Sequence, residues 1–111
     1  MSWAKSRRDK RKNNFVMIPR KILHNEEWER FTSSAKLLYI YLKGHYNGSN
    51  NGQIRLYYSQ LKPVKGLSSS GTISNAFHEL EEAGWIFPTK HGGLFRYFNE
   101  YKLTGKVDDY L

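Results

Sequence analysis

The sequence predicts a mainly α-helical domain with a small β-hairpin, that is, an α+β fold. Three stretches lead to this prediction. Residues 67–86, LSSSGTISNAFHELEEAGWI, place apolar side chains at helical spacing between a serine-rich start and a glycine stop. Residues 33–46 form a second helical pattern that is apolar over most of its circumference. Residues 85–103 alternate like two strands on either side of a glycine pair.

The segment before the first long helix predicts short elements. Residues 15–18 form an apolar run that is expected to be an edge strand. Pro19 suits the start of a helix, so residues 20–25 are expected to form a short helix with Ile22 and Leu23 facing inward.

Residues 33–46 predict the central buried helix. Thr32 has the side chain of a helix N-cap, and Trp28 and Phe31 are expected to anchor the acidic connector Glu26–Arg30 to the core. The apolar stripe of this helix, which Leu37, Ile40 and Tyr41 widen, consists of Ala35, Leu38, Tyr39, Leu42 and Tyr46.

The middle of the chain predicts a loop, a strand and a short helix. The composition NGSNNG at 47–52 is typical of a loop, and residues 53–56 are a strand candidate. Residues 57–62 predict a short helix that Pro63 ends, because proline disfavours the helical conformation in the residue before it. Lys65 and Gly66 then form the turn into the next helix.

The helix at about 69–83 has two different faces. Its apolar stripe has the spacing i, i+3, i+4, i+7 in Ile73, Ala76, Phe77 and Leu80. One of the serines 68–70 caps its start, and Gly84 ends it. The other face carries short uncharged polar side chains in its N-terminal half, and the acids are held back to Glu79, Glu81 and Glu82. An N-terminal half of this kind can lie against a polyanion.

The hairpin and the charged ends complete the predicted organisation. The strands are expected at 85–90 and 94–103 around a turn at 91–93, and one face of the second strand carries Phe95, Tyr97, Tyr101 and Leu103. The division is therefore a disordered basic arm at 1–14, one domain at 15–104 and a C-terminal tail at 105–111.

The excess positive charge lies in the arm. Six basic groups and one acid give residues 1–14 a net charge of +5, and the other 97 residues contribute +3 of the total of +8. The arm is either a solubilising tail or a segment that follows DNA phosphates. In the second case the contacts come from Arg7, Arg8, Lys10, Arg11 and Lys12.

Residues 58–86, YSQLKPVKGLSSSGTISNAFHELEEAGWI, carry a family resemblance. They resemble the core of winged helix-turn-helix DNA-binding domains, of the kind found in phage and plasmid replication-initiator proteins and small prophage-type regulators. The matching elements are Gly66-Leu67-Ser68, Thr72-Ile73-Ser74, Leu80-Glu81 and Gly84-Trp85-Ile86. The resemblance covers roughly residues 15–103. The chain departs from the pattern at Pro63, which shortens the helix before the turn.

The resemblance implies a site on the helix at 69–83. That helix would enter the major groove, and the residues facing DNA would be Ser69, Ser70, Gly71, Thr72, Ser74 and Asn75. Ser69 and Ser70 would hold phosphate at the helix N-terminus, and Asn75 would bind an adenine edge. Asn75 could equally be a solvated mid-helix residue. His78, one turn further on, would touch phosphate or remain a surface residue.

The hairpin would be the wing, a second contact with DNA at 85–103. Lys90, His91 and Arg96 flank the glycine tip, which would let the backbone approach a groove or a phosphate closely. A plain exposed turn would use glycines as well. The resemblance thus implies sequence-specific binding of double-stranded DNA by a replication-initiation or transcription-regulatory factor.

Enzymatic activity is not expected. The four histidines have no metal-ligand spacing, cysteine is absent, and no glycine-rich phosphate loop occurs. The sequence therefore predicts no metal site, no cofactor and no small-molecule substrate. A winged helix that binds a protein or RNA stays open as the alternative, because aromatic residues such as Tyr57, Tyr58 and Phe87 could form an exposed patch.

The remaining expectations concern location and assembly. No apolar run is long enough to span a bilayer and the basic N-terminus lacks the apolar stretch of a signal peptide, so a cytoplasmic protein without membrane contact is expected. A homodimer is left open, because the apolar helix at 33–46 could be covered by the domain itself or by a second copy.

Overall fold

The structure is a computed structural model that describes residues 15–90, 99–109 and 111. This part of the chain is a compact α+β fold with five helices and three strands. In chain order they are α1 (Arg20–Leu23), α2 (Glu26–Arg30), α3 (Ser33–His45), β1 (Ile54–Leu56), α4 (Tyr58–Leu61), α5 (Ser70–Glu82), β2 (Ile86–Lys90) and β3 (Asn99–Leu103).

The strands form one antiparallel sheet in the order β1-β3-β2. β3 lies in the centre, where Tyr101 is opposite Ile54 of β1, and Leu103 is opposite Ile86 of β2. The register between β2 and β3 shifts between Pro88 and Lys90. The predicted hairpin strands and the predicted strand at 53–56 thus belong to the same sheet.

An aromatic cluster joins α2 and α3 to the start of β2. Trp85 is fully buried, and its ring stacks on Trp28 at a centroid distance of 5.8 Å. Phe31 and Tyr39 approach the same indole edge-to-face at 4.9 and 5.3 Å. Aromatic pairs at these distances contribute about 0.5–1.5 kcal/mol each beyond the area that they bury. The predicted anchoring roles of Trp28 and Phe31 are confirmed.

A second aromatic stack fixes α5 against the sheet. The ring of Phe77 lies between Tyr101 of β3, at 4.7 Å, and Tyr58 of α4, at 6.4 Å. All three rings are nearly parallel, with interplanar angles of 8° and 12°. Because Phe77 is in the apolar stripe of α5, this stack sets which face of the helix points away from the protein.

The N-terminal segment differs from its prediction. Residues 15–18 form no strand, because this segment lies against α3, where a β-carbon at Gly44 would be 3.6 Å from the Val16 side chain, and Phe15, Val16 and Met17 are exposed. The short helix ends at Leu23, whose side chain is 52% exposed, whereas Ile22 is fully buried. Successive helical residues point about 100° apart, and here only the direction of Ile22 faces the core.

α3 begins at the predicted cap, Thr32, whose Oγ1 accepts a hydrogen bond from the Ala35 N–H at 3.2 Å. Five residues of this helix are buried, as expected for a central helix, but its apolar circumference is not covered all round. Ile40 and Tyr41 are each 37% exposed, since α5 and the sheet cover only the opposite face of α3.

The C-terminal segment after β3 contacts four helices, namely α1, α2, α3 and α5. Val107 and Asp108 are buried, and the Asp108 carboxylate forms an ion pair with Lys43 of α3. Lys106 donates to the Ala83 carbonyl at the end of α5 at 2.7 Å and reaches Glu27 of α2. The predicted tail is thus in contact with the domain over its described length.

Candidate functional site

α5 has well-defined ends because its own residues satisfy the free backbone groups. The Ser69 hydroxyl accepts from the Thr72 N–H at 3.1 Å, so Ser69 is the N-cap. At the other end Gly84 has a φ of +78°, a left-handed conformation that glycine adopts without strain. The Trp85 N–H then donates to the Leu80 carbonyl and the Gly84 N–H to the Glu81 carbonyl, which together make a Schellman motif.

The outer face of α5 is formed by residues opposite its buried stripe. Ile73, Ala76, Phe77 and Leu80 are buried, as the sequence predicts. Gly71, Asn75 and His78 are exposed and follow one another along the opposite side. We call these three residues the outer row. Its side chains are small or uncharged, apart from the ionisable imidazole of His78.

The remaining candidate residues of α5 fall into two groups. Ser69 and Ser70 are exposed at the N-terminus, as a phosphate contact would require. Thr72 and Ser74 are half-buried at the sides of the helix, and the Thr72 hydroxyl accepts from Ser69 at 2.8 Å. These two residues are therefore less available to a ligand than the outer row.

Glu79 is turned away from the outer row. Its carboxylate accepts from the Thr32 backbone N–H and from the Thr32 hydroxyl, both at 2.8 Å. The two hydrogen bonds fasten the middle of α5 to the start of α3, and they direct a negative charge to the side of the helix. The sequence pattern shows that the acids are held back but gives no signal for this partner, which is 47 residues away.

The outer row ends at its C-terminal side in an acid. Glu82 is exposed one turn after His78, on the same side of the helix. The surface without a carboxylate therefore covers the first turns of α5, up to His78, and not the whole helix. This is the distribution of charge that the sequence predicts.

A second contact of α3 fixes the turn that leads into α5. The Ser34 hydroxyl donates to the Gly66 carbonyl at 2.8 Å, and Gly66 has a φ of +96°. A β-carbon at Gly66 would also lie 3.4 Å from Leu37. The first turn of α3 therefore holds α5 from two sides, through Glu79 and through the preceding turn.

Gly71 has no structural requirement to be glycine. It lies inside the helix, its φ is not positive, and a β-carbon there would have nothing within 4 Å. Glycine is less favourable than alanine within a helix by about 0.5–1 kcal/mol. The absence of a side chain leaves the backbone of α5 accessible to close approach from outside.

Two lysines precede α5 in the turn. Lys62 and Lys65 are exposed, and neither forms an ion pair with an acid in the described part of the chain. Other described cations do have an acidic partner, namely Lys21, Arg30, Lys43, Arg55 and Lys106. The site predicted from the sequence omits Lys62 and Lys65, although their position beside the turn is evident from the sequence.

Part of the predicted site lies outside the described residues. This applies to the wing tip with His91 and Arg96, to the side chain of Lys90, and to the arm residues Arg7, Arg8, Lys10, Arg11 and Lys12. The backbone of Lys90 belongs to β2, opposite Glu100 of β3. The arm and wing contacts therefore stay predictions.

The described residues contain neither a metal-binding group nor a membrane-spanning helix. Among residues 15–90, 99–109 and 111, no three histidine or acidic side chains are grouped so that they could hold a metal ion. No helix in this part of the chain has the length and apolar character needed to cross a membrane.

Comparison with known proteins leaves the family open. No protein-family model, curated protein or solved structure matches this chain. The likeness to winged helix-turn-helix domains therefore depends on the residues and the element order of the chain itself.

Proposed function

We propose that this chain is a winged helix-turn-helix protein that binds double-stranded DNA, with α5 in the major groove and the β2–β3 wing beside it. The proposal includes sequence-specific recognition by a replication-initiation or transcription-regulatory factor. Both roles need the same contact with DNA, which the candidate site on α5 would make.

The observation that carries the proposal is the outer row of α5. A major groove about 12 Å wide accepts one helix, whose diameter with side chains is about 10–12 Å. Gly71, Asn75 and His78 form a narrow exposed surface, and Glu79 beside it is bound to Thr32. The N-terminal half of a helix with this surface can approach phosphates without a carboxylate between them.

The chemistry of the outer row fits contacts with base edges. An asparagine amide can donate to N7 of adenine and accept from its amino group at the same time, which discriminates against the wrong base by about 1–3 kcal/mol. Asn75 is exposed, and its side chain has no hydrogen-bond partner among the described residues. Gly71, one turn before it, leaves room for the backbone of α5 to come close.

The N-terminus of α5 and the turn before it fit contacts with phosphate. The positive end of the helix dipole and the free N–H groups of the first turn favour an anion there. Lys62 and Lys65 lie in the preceding turn and can add charge–charge attraction. Phosphate contacts of this kind fix the position of the protein, whereas the outer row would supply the sequence preference.

One observation favours the alternative, a winged helix that binds a protein or RNA. Phe87 on β2 is 60% exposed, and it lies opposite Lys102 of β3, which is also exposed. An exposed aromatic ring beside a cation can stack on an unpaired base. Tyr57 and Tyr58, in contrast, are half-buried.

The test is fluorescence anisotropy of a labelled mixed-sequence DNA duplex, titrated with the protein at low and at physiological salt. A single-stranded RNA of the same length is the comparison. The proposal expects duplex binding in the micromolar range at low salt that weakens steeply as salt rises. A folded protein that does not bind duplex at low salt, or that prefers the RNA, would contradict it.

A further inference from the structure

An apolar surface lies on the side of α3 that the domain leaves uncovered. Five exposed side chains form it, and we call them the α3 patch: Phe15, Val16, Met17, Ile40 and Tyr41. Their exposed fractions are 67%, 41%, 47%, 37% and 37%. The exposed apolar areas of the five side chains add up to about 400 Å². This is within the range of the largest apolar patch on a typical monomer.

The two chain segments of the α3 patch meet at Gly44. A β-carbon at Gly44 would lie 3.6 Å from the Val16 side chain, so the N-terminal segment crosses α3 at this residue. Ile40 and Tyr41 precede Gly44 by four and three residues and therefore share its face of the helix. Val16 therefore connects the N-terminal segment to the face of α3 that carries Ile40 and Tyr41.

The α3 patch borders an open cavity of about 480 Å³. Phe15 and Met17 line it together with Tyr46 and Leu111. Phe15 is the most exposed large hydrophobic side chain in the described part of the chain. A large protruding side chain next to a cavity is a self-complementary combination, because two copies related by a two-fold axis can each insert the ring into the cavity of the other.

The net positive charge of the chain opposes self-association at low salt. Lys43, which lines the cavity, is buried and neutralised by its ion pair with Asp108. The chain as a whole carries a net charge of +8, so two copies repel each other through most of their surfaces. Of this charge, +5 belongs to residues 1–14, which lead directly into Phe15, so the repulsion between two copies acts beside the α3 patch and should weaken as salt rises.

We propose that the α3 patch is the interface of a two-fold symmetric homodimer of this chain. A standard interface buries about 800 Å² per partner, and somewhat more than half of that area is apolar. The patch supplies about this apolar share. Phe15 of each copy would enter the cavity beside α3 of the other copy, and this would give the close packing that a stable interface needs.

The test is sedimentation velocity on the full chain without DNA, over a range of concentrations and at two salt concentrations. We expect a reversible monomer–dimer equilibrium that tightens when salt is raised, because salt screens the repulsion between two cationic copies. This salt dependence is opposite to that expected for DNA binding. Since no DNA is present, failure of this proposal and failure of the DNA proposal are distinguishable.

Charge insertion identifies the surface. Ile40→Glu and Met17→Glu should each weaken the dimer by about tenfold or more, because a carboxylate would be buried at the interface. Glutamate is a good helix former, and Met17 lies outside any helix or strand, so both variants should keep the fold. Phe87→Glu is the control, since Phe87 is also an exposed apolar residue but lies on β2.

Three results would overturn the proposal. A monomer at every concentration would leave the α3 patch to another occupant. An assembly that grows beyond two copies would exclude a closed two-fold interface. A dimer that persists in Ile40→Glu and Met17→Glu but dissociates in Phe87→Glu would move the interface to the sheet. Far-ultraviolet circular dichroism of each variant verifies that the loss of the dimer is not a loss of fold.

Discussion

A substitution at Gly71 tests whether the outer row of α5 contacts a ligand and whether the glycine lowers the stability of the fold. Gly71→Ala should raise the free energy of unfolding by about 0.5–1 kcal/mol, since alanine restricts the unfolded chain and the space around the new methyl group is empty. The same change should weaken duplex binding, because the methyl group stands between α5 and the groove. Denaturant unfolding and anisotropy measure the two effects.

Gly44→Ala is the matched control for Gly71→Ala. Gly44 is also inside a helix, and its nearest side-chain neighbour, Val16, is at an ordinary contact distance of 3.6 Å. This variant should gain comparable stability and leave the intrinsic affinity for a single DNA site unchanged. If Gly71→Ala kept full duplex affinity, the glycine would have no role in DNA contact.

Glu27 predicts a pH dependence of stability. Its carboxylate accepts from the buried Trp85 indole N–H at 2.8 Å and lies near Lys106, and these contacts lower its pKa below the ordinary value of 4.5, the indole hydrogen bond being the larger cause. A lowered folded-state pKa means that the ionised carboxylate stabilises the fold fully above about pH 4.5 and loses this effect as pH falls through the folded-state pKa.

The matched variant for this pH dependence is Glu27→Gln, which keeps an acceptor for Trp85 but does not titrate. Urea unfolding of both proteins between pH 7 and pH 3 measures the difference in the free energy of unfolding. The wild type should be more stable at neutral pH, and the difference should shrink as pH falls below about 4.5. A difference that stayed constant with pH would show that the ionised form is not what stabilises the fold.

At the scale of single residues, the sequence predicts contacts that are local. The caps Thr32 and Ser69 and the stop at Gly84 follow from side chains next to the groups they satisfy. The pairing of Glu79 with Thr32 does not, because it joins residues that only the folded chain brings together. For the same reason the sequence gives no signal for the buried partner of Asp108.

Among the elements, the C-terminal segment acts as a cross-link between helices. Asp109 pairs with Lys21 of α1, Lys106 contacts α2 and the end of α5, and Asp108 pairs with Lys43 of α3. The first two ion pairs are partly exposed and contribute little. Lys43 and Asp108 are both almost completely buried, so the loss of either partner of this ion pair should lower the free energy of unfolding.

Asp108→Ala should destabilise the protein by about 3–5 kcal/mol, because it leaves the buried Lys43 ammonium without its counter-charge. The double variant Lys43→Met with Asp108→Leu should be far less destabilised, since no charge is then buried. Chemical denaturation of the three proteins measures the effect. Equal losses in the single and double variants would show that packing, not charge, fixes this segment.

The basic arm is the element for which the sequence makes a prediction beyond the described residues. Removing residues 1–14 should weaken binding to all duplexes by a similar factor. It should also flatten the dependence of log affinity on log salt by about 0.9 for each phosphate that the arm neutralises. Anisotropy titrations of the full chain and the truncated chain over a salt series measure the slope. An unchanged slope would mean that the arm does not contact DNA.

Element prediction succeeds where periodicity is long and fails where it is short. The sequence predicts the two long helices at 33–46 and about 69–83, and they span Ser33–His45 and Ser70–Glu82. It also predicts a strand at 15–18, which is wrong, because this segment pairs with neither edge strand of the sheet and lies against α3 instead. An apolar run of four residues does not show whether the segment will pair with a strand of the sheet.

For the whole molecule, the sequence predicts the α+β class and which face of α5 is buried. It does not predict which polar residues of α5 are partly covered. The half-buried state of Thr72 and Ser74 depends on how the rest of the domain packs around the helix. It also leaves open what covers α3. The structure shows that the domain itself covers one face and leaves Ile40 and Tyr41 exposed on the other.

Two isosteric substitutions test whether the outer row of α5 faces DNA. Asn75→Asp and Gln53→Glu each replace an exposed amide by a carboxylate, with the same change in net charge. Asn75 lies on α5, whereas Gln53 precedes β1 at the opposite edge of the sheet from β2.

The measurement is duplex affinity by anisotropy at one salt concentration for the wild type and both variants. If α5 faces DNA, Asn75→Asp should lower the affinity by about tenfold or more, because a carboxylate would face base acceptors and phosphates. Gln53→Glu should change the affinity little. Equal affinities in the two variants, or a larger loss in Gln53→Glu, would contradict the claim that α5 carries the DNA contact.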